Sequence, residues 1–259
     1  MKRIFTKVEA AGNDFLFSDY AEGTVTSEEI RLLCDRNFGI GADGLVEMEA
    51  LTAESTRWHF FNRDGSIAAM CGNAARAAAA WLFAEGKTLP HRLQTGFGEI
   101  MLSRVGGGFE ARVPYVGKAL AETALGGATL IDTGVPHAVI EWPSSVFERS
   151  QQMRERAAQF RWAKQAGTAG TNVTFFNRRE GGIDAITFER GVEDFTLSCG
   201  TGVLAAATVS SAALVRGWPS EGVIVRNPGA ELKVVSNDFP KSLTLIGPAR
   251  VVFRAEWES

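Results

Sequence analysis

The sequence predicts an α+β protein of two pseudo-symmetric lobes, each a curved mixed β-sheet wrapped around one Ala-rich helix. Three observations carry this. The stretch Cys71-Gly72-Asn73-Ala74-Ala75-Arg76-Ala77-Ala78-Ala79 returns, displaced by 128 positions, as Cys199-Gly200-Thr201-Gly202-Val203-Leu204-Ala205-Ala206-Ala207, with five of nine residues identical. An offset close to half of the 259 residues argues for two copies of one unit. The segments AARAAAAWLFA and VLAAATVSSAAL lack a continuous polar face, so both helices are enclosed rather than laid on a surface. Most of the remaining chain reads as short strands punctuated by Gly-containing turns.

In order, residues 4–8 and 15–20 read as strands around the turn Ala11-Gly12-Asn13-Asp14. Thr26-Ser27-Glu28-Glu29 has the spacing of a capping box and opens a helix through Ile30, Leu33 and Cys34 that stops near Gly39. Strands at about 44–49 and 56–62 lead through the loop Asn62 to Ser66 into the first Cys helix, which Gly86 can end. Residues 92–113 form a meander turning at Gly106-Gly107-Gly108, and Pro114 to about Gly127 is the expected linker. The second half opens with a strand at 128–132, the turn Thr133 to His137 and a strand to Trp142, followed by an amphipathic surface helix over 145–162. A hairpin of Thr171–Asn177 and Ile183–Arg190 delivers the chain to the second Cys helix, and 222–257 is strand and turn. The domains expected are 1–115, carrying Cys71, and 116–248, carrying Cys199.

Each Cys-Gly pair sits at a helix start, where unpaired backbone N–H groups favour negative charge and lower a thiol pKa. The same N–H groups are a site for a carboxylate. Cys34 follows none of this grammar and reads as core. Asn62 and Arg190 each lie nine residues before a cysteine, so equivalent strand ends are expected to bring different polar groups to one cleft between the lobes. Two thiols on opposite walls of a cleft suit inversion at carbon: one removes a proton from one face while the other returns a proton to the opposite face. Helix N-termini aimed at an α-carboxylate would stabilise the carbanion in between.

Composition narrows the alternatives. A net charge of −3 without a basic run argues against nucleic acid, and no apolar run reaches the length of a membrane span. No signal-peptide core is seen at the N-terminus, so a cytoplasmic location is expected. Three cysteines and three histidines, at 59, 91 and 137, fit neither a disulfide framework nor a metal centre, and nothing marks a Schiff-base lysine with its phosphate loop. No metal and no cofactor are therefore expected. The oligomeric state is open, a homodimer being compatible.

The motifs AGNDF at 11–15, DRNFGIGADGL at 35–45, FNRDGSIAAMCGNAAR at 61–76, TGVPH at 133–137, TNVTF at 171–175 and FERGVEDFTLSCGTG at 188–202 resemble those of the diaminopimelate epimerases. The resemblance implies a cofactor-independent epimerase interconverting LL- and meso-diaminopimelate on the route to lysine and peptidoglycan. It also implies two barrel-like lobes, with a last strand, 249–259, returning to the first. Carried over by position, Cys71 and Cys199 match the catalytic pair, with His137 and Glu189 polar residues close to them. Gly72, Asn73, Gly200 and Thr201 match the groups that hold the reacting amino-carboxylate. Asn13, Asn62, Asn172, Glu189 and Arg190 match those that position the substrate, Arg190 being suited to pair bidentately with a distal carboxylate. The chain departs from the family at Val135, where Asn is common, and at Ala74 or Ala75, where Gly is common.

Two rival readings stand beside this one. A racemase of another amino acid, such as histidine, could use the same scaffold, and Val135 bears on that choice. A thiol redox sensor or binding module would need the cysteines but not the ring of polar residues around them.

Overall fold

The computed structural model describes residues 2–20, 25–114, 118–162 and 170–258. In chain order its elements are β1 (Lys2–Ala10), β2 (Asn13–Asp19), α1 (Ser27–Cys34), β3 (Gly44–Thr52), β4 (Ser55–Asn62), α2 (Gly72–Ala84), β5 (His91–Thr95), β6 (Gly98–Val105), β7 (Gly108–Pro114), β8 (Lys118–Leu125), β9 (Ala128–Asp132) and β10 (Pro136–Glu141). A 3-10 turn (Val146–Glu148) precedes α3 (Gln151–Arg161), β11 (Asn172–Arg179), β12 (Gly182–Glu189), β13 (Asp194–Phe195), α4 (Gly200–Ser210), α5 (Ala213–Arg216), β14 (Val223–Arg226), β15 (Glu231–Val235), β16 (Ser242–Gly247) and β17 (Arg250–Glu258). The chain divides into two compact units, Met1–Arg112 with Gly247–Ser259, and Val113–Ile246.

In the first unit the strands pair in the order β17-β1-β2-β3-β4-β5-β6-β7, antiparallel throughout except at β2/β3 and β4/β5. In the second the order is β8-β9-β10-β11-β12-β14-β15-β16, antiparallel except at β10/β11 and β12/β14. Strand for strand, the two ladders have the same sequence of senses. A parallel neighbour requires a crossover, and helices supply it at the same places: α1 and α2 in one unit, α3 and α4 in the other. The duplication read from nine residues at the helix starts therefore extends over the eight-strand ladders of both units, the second adding the short β13 and α5.

In each unit one helix lies inside the sheet and one outside. The inner helix α2 packs on β17, β1 and β2 and also on β6 near the other end of the ladder, so the sheet curls around it. Strand β2 is consequently buried on both faces and reads as a nearly unbroken apolar run. Phe17 stacks on Trp81 of α2 at 5.9 Å, while Leu16 joins Ile30, Leu33 and Leu45 under α1. The second unit repeats this: Met153, Ala157 and Phe160 of α3 cover Ala138, Ile140, Val173 and Phe175, and the opposite face of the same strands meets α4. Alanine suits the inner position because it has the strongest helix preference and leaves the sheet room to close. Ala77, Ala78, Ala79, Ala205, Ala206 and Ala207 are all fully buried.

Four expectations are corrected. The linker over 114–127 is in part strand: β8 pairs with β9 across the Gly126-Gly127 turn, where both glycines have positive φ, and 115–117 lie outside the described residues. ALAETAL carries little strand preference of its own, so its state is set by the partner strand. The helix over 145–162 is split, because Arg149 adopts a left-handed conformation and Ser150 restarts the helix by accepting the Met153 N–H. The second Ala-rich segment breaks likewise at Ala212, with φ 53°. Helix α1 stops at Cys34 rather than near Gly39, since the Asp35 carboxylate captures the N–H groups of Asn37 and Phe38 at 2.7 and 2.8 Å. The chain then folds back so closely that a Cβ on Gly39 would strike the Leu32 carbonyl.

Among the described residues, no helix is long and apolar enough to cross a membrane.

Candidate active site

Both enclosed helices begin at their cysteines. Cys71 is the N-cap of α2 with extended backbone, φ −151° and ψ 122°, and its sulfur accepts the Ala74 N–H at 3.5 Å. Cys199 is the N-cap of α4 with φ −122° and ψ 112°, but its sulfur lies 3.4 Å from the Thr201 hydroxyl instead of capping the helix. Both thiols are half-buried, so each is reachable, and each sits at the positive end of a helix. Cys34 is a different case. Burial, reinforced by the Asp43 charge, pushes its thiol up to about 12, which leaves it an inert core residue.

Around Cys71 the first unit places Gly72, Asn73 and Asn13. The Asn13 amide donates to Asp43 at 2.6 Å, which fixes its orientation. Its Oδ1 then faces the Cys71 sulfur at 3.8 Å and the Asn73 amide at 3.4 Å. Asp43 shares Arg36 with Asp14, and Lys7 also reaches Asp14. Although burial pushes the Asp14 carboxyl up, hydrogen bonds from Arg36 and Lys7 hold it at about 2. Asn62 ends β4 at the surface, where it donates to Ser66 at 3.0 Å and makes no described contact with the Cys71 cluster.

Around Cys199 the second unit places Gly200, Thr201, His137, Asn172 and Arg190. The Arg190 backbone N–H donates to Asn172 Oδ1 at 2.8 Å, so the Asn172 amide NH2 must face His137 Nε2, 3.4 Å away. That nitrogen is therefore an acceptor, and it also takes the Thr201 hydroxyl proton at 3.0 Å. Nδ1 carries the imidazole proton and donates to Thr174 Oγ1 at 2.9 Å. The Thr201 oxygen is left free to accept from the Cys199 thiol. His137 is thus linked to the sulfur through Thr201 rather than by contact. The Glu189 carboxylate accepts from the Thr196 hydroxyl, and one Arg190 guanidinium N–H reaches the Gly170 carbonyl at 3.4 Å.

His137 is fully buried, and desolvation, with the Arg190 charge second, pushes its pKa down to about 3. Its unfolded value lies near 6.5. Between these two values the unfolded chain holds a proton that the folded one does not, so stability rises with pH and is lost on acidification from about 6.5 toward 3. The expected slope approaches about 1.4 kcal/mol per pH unit at its steepest. Urea unfolding at pH 7, 6 and 5 measures it, and His137→Gln removes this share of the slope.

Gly202 explains one difference between the two copies. A Cβ there would run into Thr187 Oγ1 and come within 3.1 Å of Thr174 Oγ1, the hydroxyl that holds His137. Copy one has Ala74 at this position, fully buried and accommodated. Gly202→Ala is expected to cost about 1–3 kcal/mol through overpacking, visible as a lowered Tm, with activity falling beyond what the melt explains.

Comparison with known proteins gives the family. A profile described as diaminopimelate epimerase matches residues 5–113. The diaminopimelate epimerase of Chlorobaculum tepidum is 34% identical over 264 residues, covering 95% of this chain and 98% of that protein. The chain belongs to the diaminopimelate epimerase family. It is accordingly an isomerase of the amino-acid epimerase kind. Solved structures share the fold at low identity: a PhzF-family phenazine biosynthesis protein from Bacillus anthracis (TM-score 0.74, 13% identity, all of both chains), and a hydroxyproline epimerase from Agrobacterium vitis (TM-score 0.67, 14% identity, 98% of this chain and 92% of that one).

Three residues central to the geometry escaped the sequence reading. Thr174 alternates with Asn172 along β11 and so shares its face, which was a usable signal. Asp43 lies in a singled-out motif but has no distinguishing spacing. Arg76, the one charge in a ten-residue alanine-rich run, was the clearest missed sign.

Proposed function

We propose that this epimerase interconverts LL- and meso-diaminopimelate by a two-base mechanism, with Cys71 and Cys199 as the acid–base pair. The observation that carries the reading is the repetition, in two topologically identical units, of a half-buried cysteine as the N-cap of an enclosed helix. Each sulfur has both a group that favours the thiolate, the helix N-terminus, and a polar oxygen within reach that accepts a hydrogen bond from the protonated thiol, Asn13 or Thr201. A group that serves as base in one direction and acid in the other needs both. N–H groups at Gly72, Asn73, Gly200 and Thr201 would receive the α-carboxylate and the developing carbanion charge.

Substrate identity rests on the family relatives and on the charged residues of the second unit. Arg190 and Glu189, joined by Asn172, offer complementary partners for a distal carboxylate and ammonium. Val135, half-buried in the turn before β10, offers none, and this favours keeping a racemase of another amino acid such as histidine as the alternative. Incubation with LL-diaminopimelate and, separately, with L-histidine and neutral amino acids, followed by chiral chromatography, decides between them. Formation of the meso isomer far faster than any racemisation supports the reading; racemisation of a mono-zwitterionic amino acid as the fastest reaction overturns it.

A further inference from the structure

Arg76 lies one turn inside α2, yet it has no exposed surface at all. Its guanidinium curls back to the helix start, donating to the Gly72 carbonyl at 3.3 Å and to Asn73 Oδ1 at 2.9 Å. Both acceptors are neutral, Nε has no partner, and among the described residues Arg76 makes no ion pair. A cation here also opposes the helix dipole, which disfavours positive charge at the N-terminus. As a packing or stability element the residue is poorly chosen, since an apolar side chain of the same volume would avoid all of these costs.

Its placement makes sense against the sulfur. The hydrogen bonds run in one direction from cation to carboxylate: Arg76 donates to Asn73, Asn73 to Asn13 at 3.4 Å, and Asn13 to Asp43 at 2.6 Å. With a charge at each end, neither amide can reverse without losing its partner, and the chain is polarised along its length. The Cys71 thiol meets this chain at Asn13 Oδ1.

We propose that Arg76 is a positioning residue for catalysis at Cys71: it supplies the buried countercharge to the thiolate and, through Asn73 and Asn13, fixes where the sulfur points. The inference rests on reading Cys71 as an acid–base group. Asn13 favours the protonated thiol, while the Ala74 N–H and Arg76 favour the thiolate, so the sulfur is balanced between the two states. Arg76 itself reflects the coupling. Its pKa is lowered to about 10 by desolvation, with the Cys71 and Glu9 charges acting in the opposite direction. The charged groups at the Asp43 end of this chain are Arg36 on the loop before β3, Asp14 on β2 and Lys7 on β1, and Glu9 of β1 is paired with Arg250 of β17.

The test is the pH dependence of iodoacetamide alkylation, resolved by peptide mapping into Cys71 and Cys199. In the wild type, Cys71 is expected to alkylate with a midpoint below the free-thiol value of about 8.5. Arg76→Met is expected to raise that midpoint by about one unit or more, slowing Cys71 alkylation near pH 7 roughly tenfold, with the Cys199 profile unmoved. Arg76→Lys, which keeps the charge but not the fork, is expected to recover most of the midpoint. A folded Arg76→Met protein with the wild-type Cys71 profile would overturn the proposal. So would a wild-type midpoint at or above about 8.5, a result that needs no variant to fold. Because alkylation requires no turnover, a protein inactive on diaminopimelate yet showing the shift would refute the proposed substrate and leave this role standing.

Discussion

Cys71→Ala and Cys199→Ala are each expected to abolish epimerisation while the protein keeps its fold. General acid–base groups of this kind contribute about 10²–10⁴-fold in rate, and inversion needs both, so loss of either is expected to cost at least about 10³-fold. The two variants differ in stability. Cys71→Ala removes the sulfur that accepts the Ala74 N–H and is expected to lower stability by about 1 kcal/mol, whereas Cys199 makes no such cap and its replacement is closer to neutral. Thermal melts together with a chiral assay separate the two effects. Cys34→Ala is the control: it leaves a small void in the core under α1 and costs stability, but its inert thiol takes no part in turnover.

Arg190→Ala is expected to raise KM and lower kcat together, for a combined loss in kcat/KM of about 10²–10³-fold, or about 3–4 kcal/mol of transition-state stabilisation. Both constants change because binding energy at the distal end of the substrate is what orients the reacting carbon. The backbone of Arg190 is tied to Asn172, whose amide also faces His137, so Asn172→Ala is expected to disturb the distal end and the Cys199 side at once. Val135→Asn tests the family departure directly. With diaminopimelate as substrate it is neutral or modestly improves KM; if it instead suppresses a faster racemisation of some other amino acid, the valine marks a different substrate. Steady-state kinetics on each substrate distinguish these results.

The reach of the sequence can be argued from particular residues. The two helix starts were readable because a cysteine, a glycine and a run of alanines are each written twice, and β2 was readable from Phe15, Leu16 and Phe17 with the Ala11-Gly12 turn before them. Strand β8 was hidden because its state depends on β9, which pairs with it but leaves no trace in its own composition. The break before α3 was hidden because a left-handed arginine at 149 has no signature comparable to glycine. At the site, Cys71, Asn73, Asn13, Cys199, Thr201, His137, Asn172 and Arg190 were all named from the sequence. What the sequence withheld is connectivity: that Thr201 stands between His137 and the sulfur, and that Asp43 and Arg76 hold the ends of the amide chain. Such links follow from which face of a strand meets the inner helix, a property set by register across the sheet.

The two-base claim is tested most directly by the position of deuterium early in the reaction. LL-diaminopimelate is supplied in deuterated water and the reaction is stopped at low conversion, with the substrate and product isomers separated and analysed for α-deuterium. With Cys71 and Cys199 acting on opposite faces, the meso product carries solvent deuterium at the inverted carbon while the remaining LL isomer keeps its original hydrogen. A product that retains the substrate's own hydrogen, or a substrate pool that gains deuterium as fast as product forms, would contradict it.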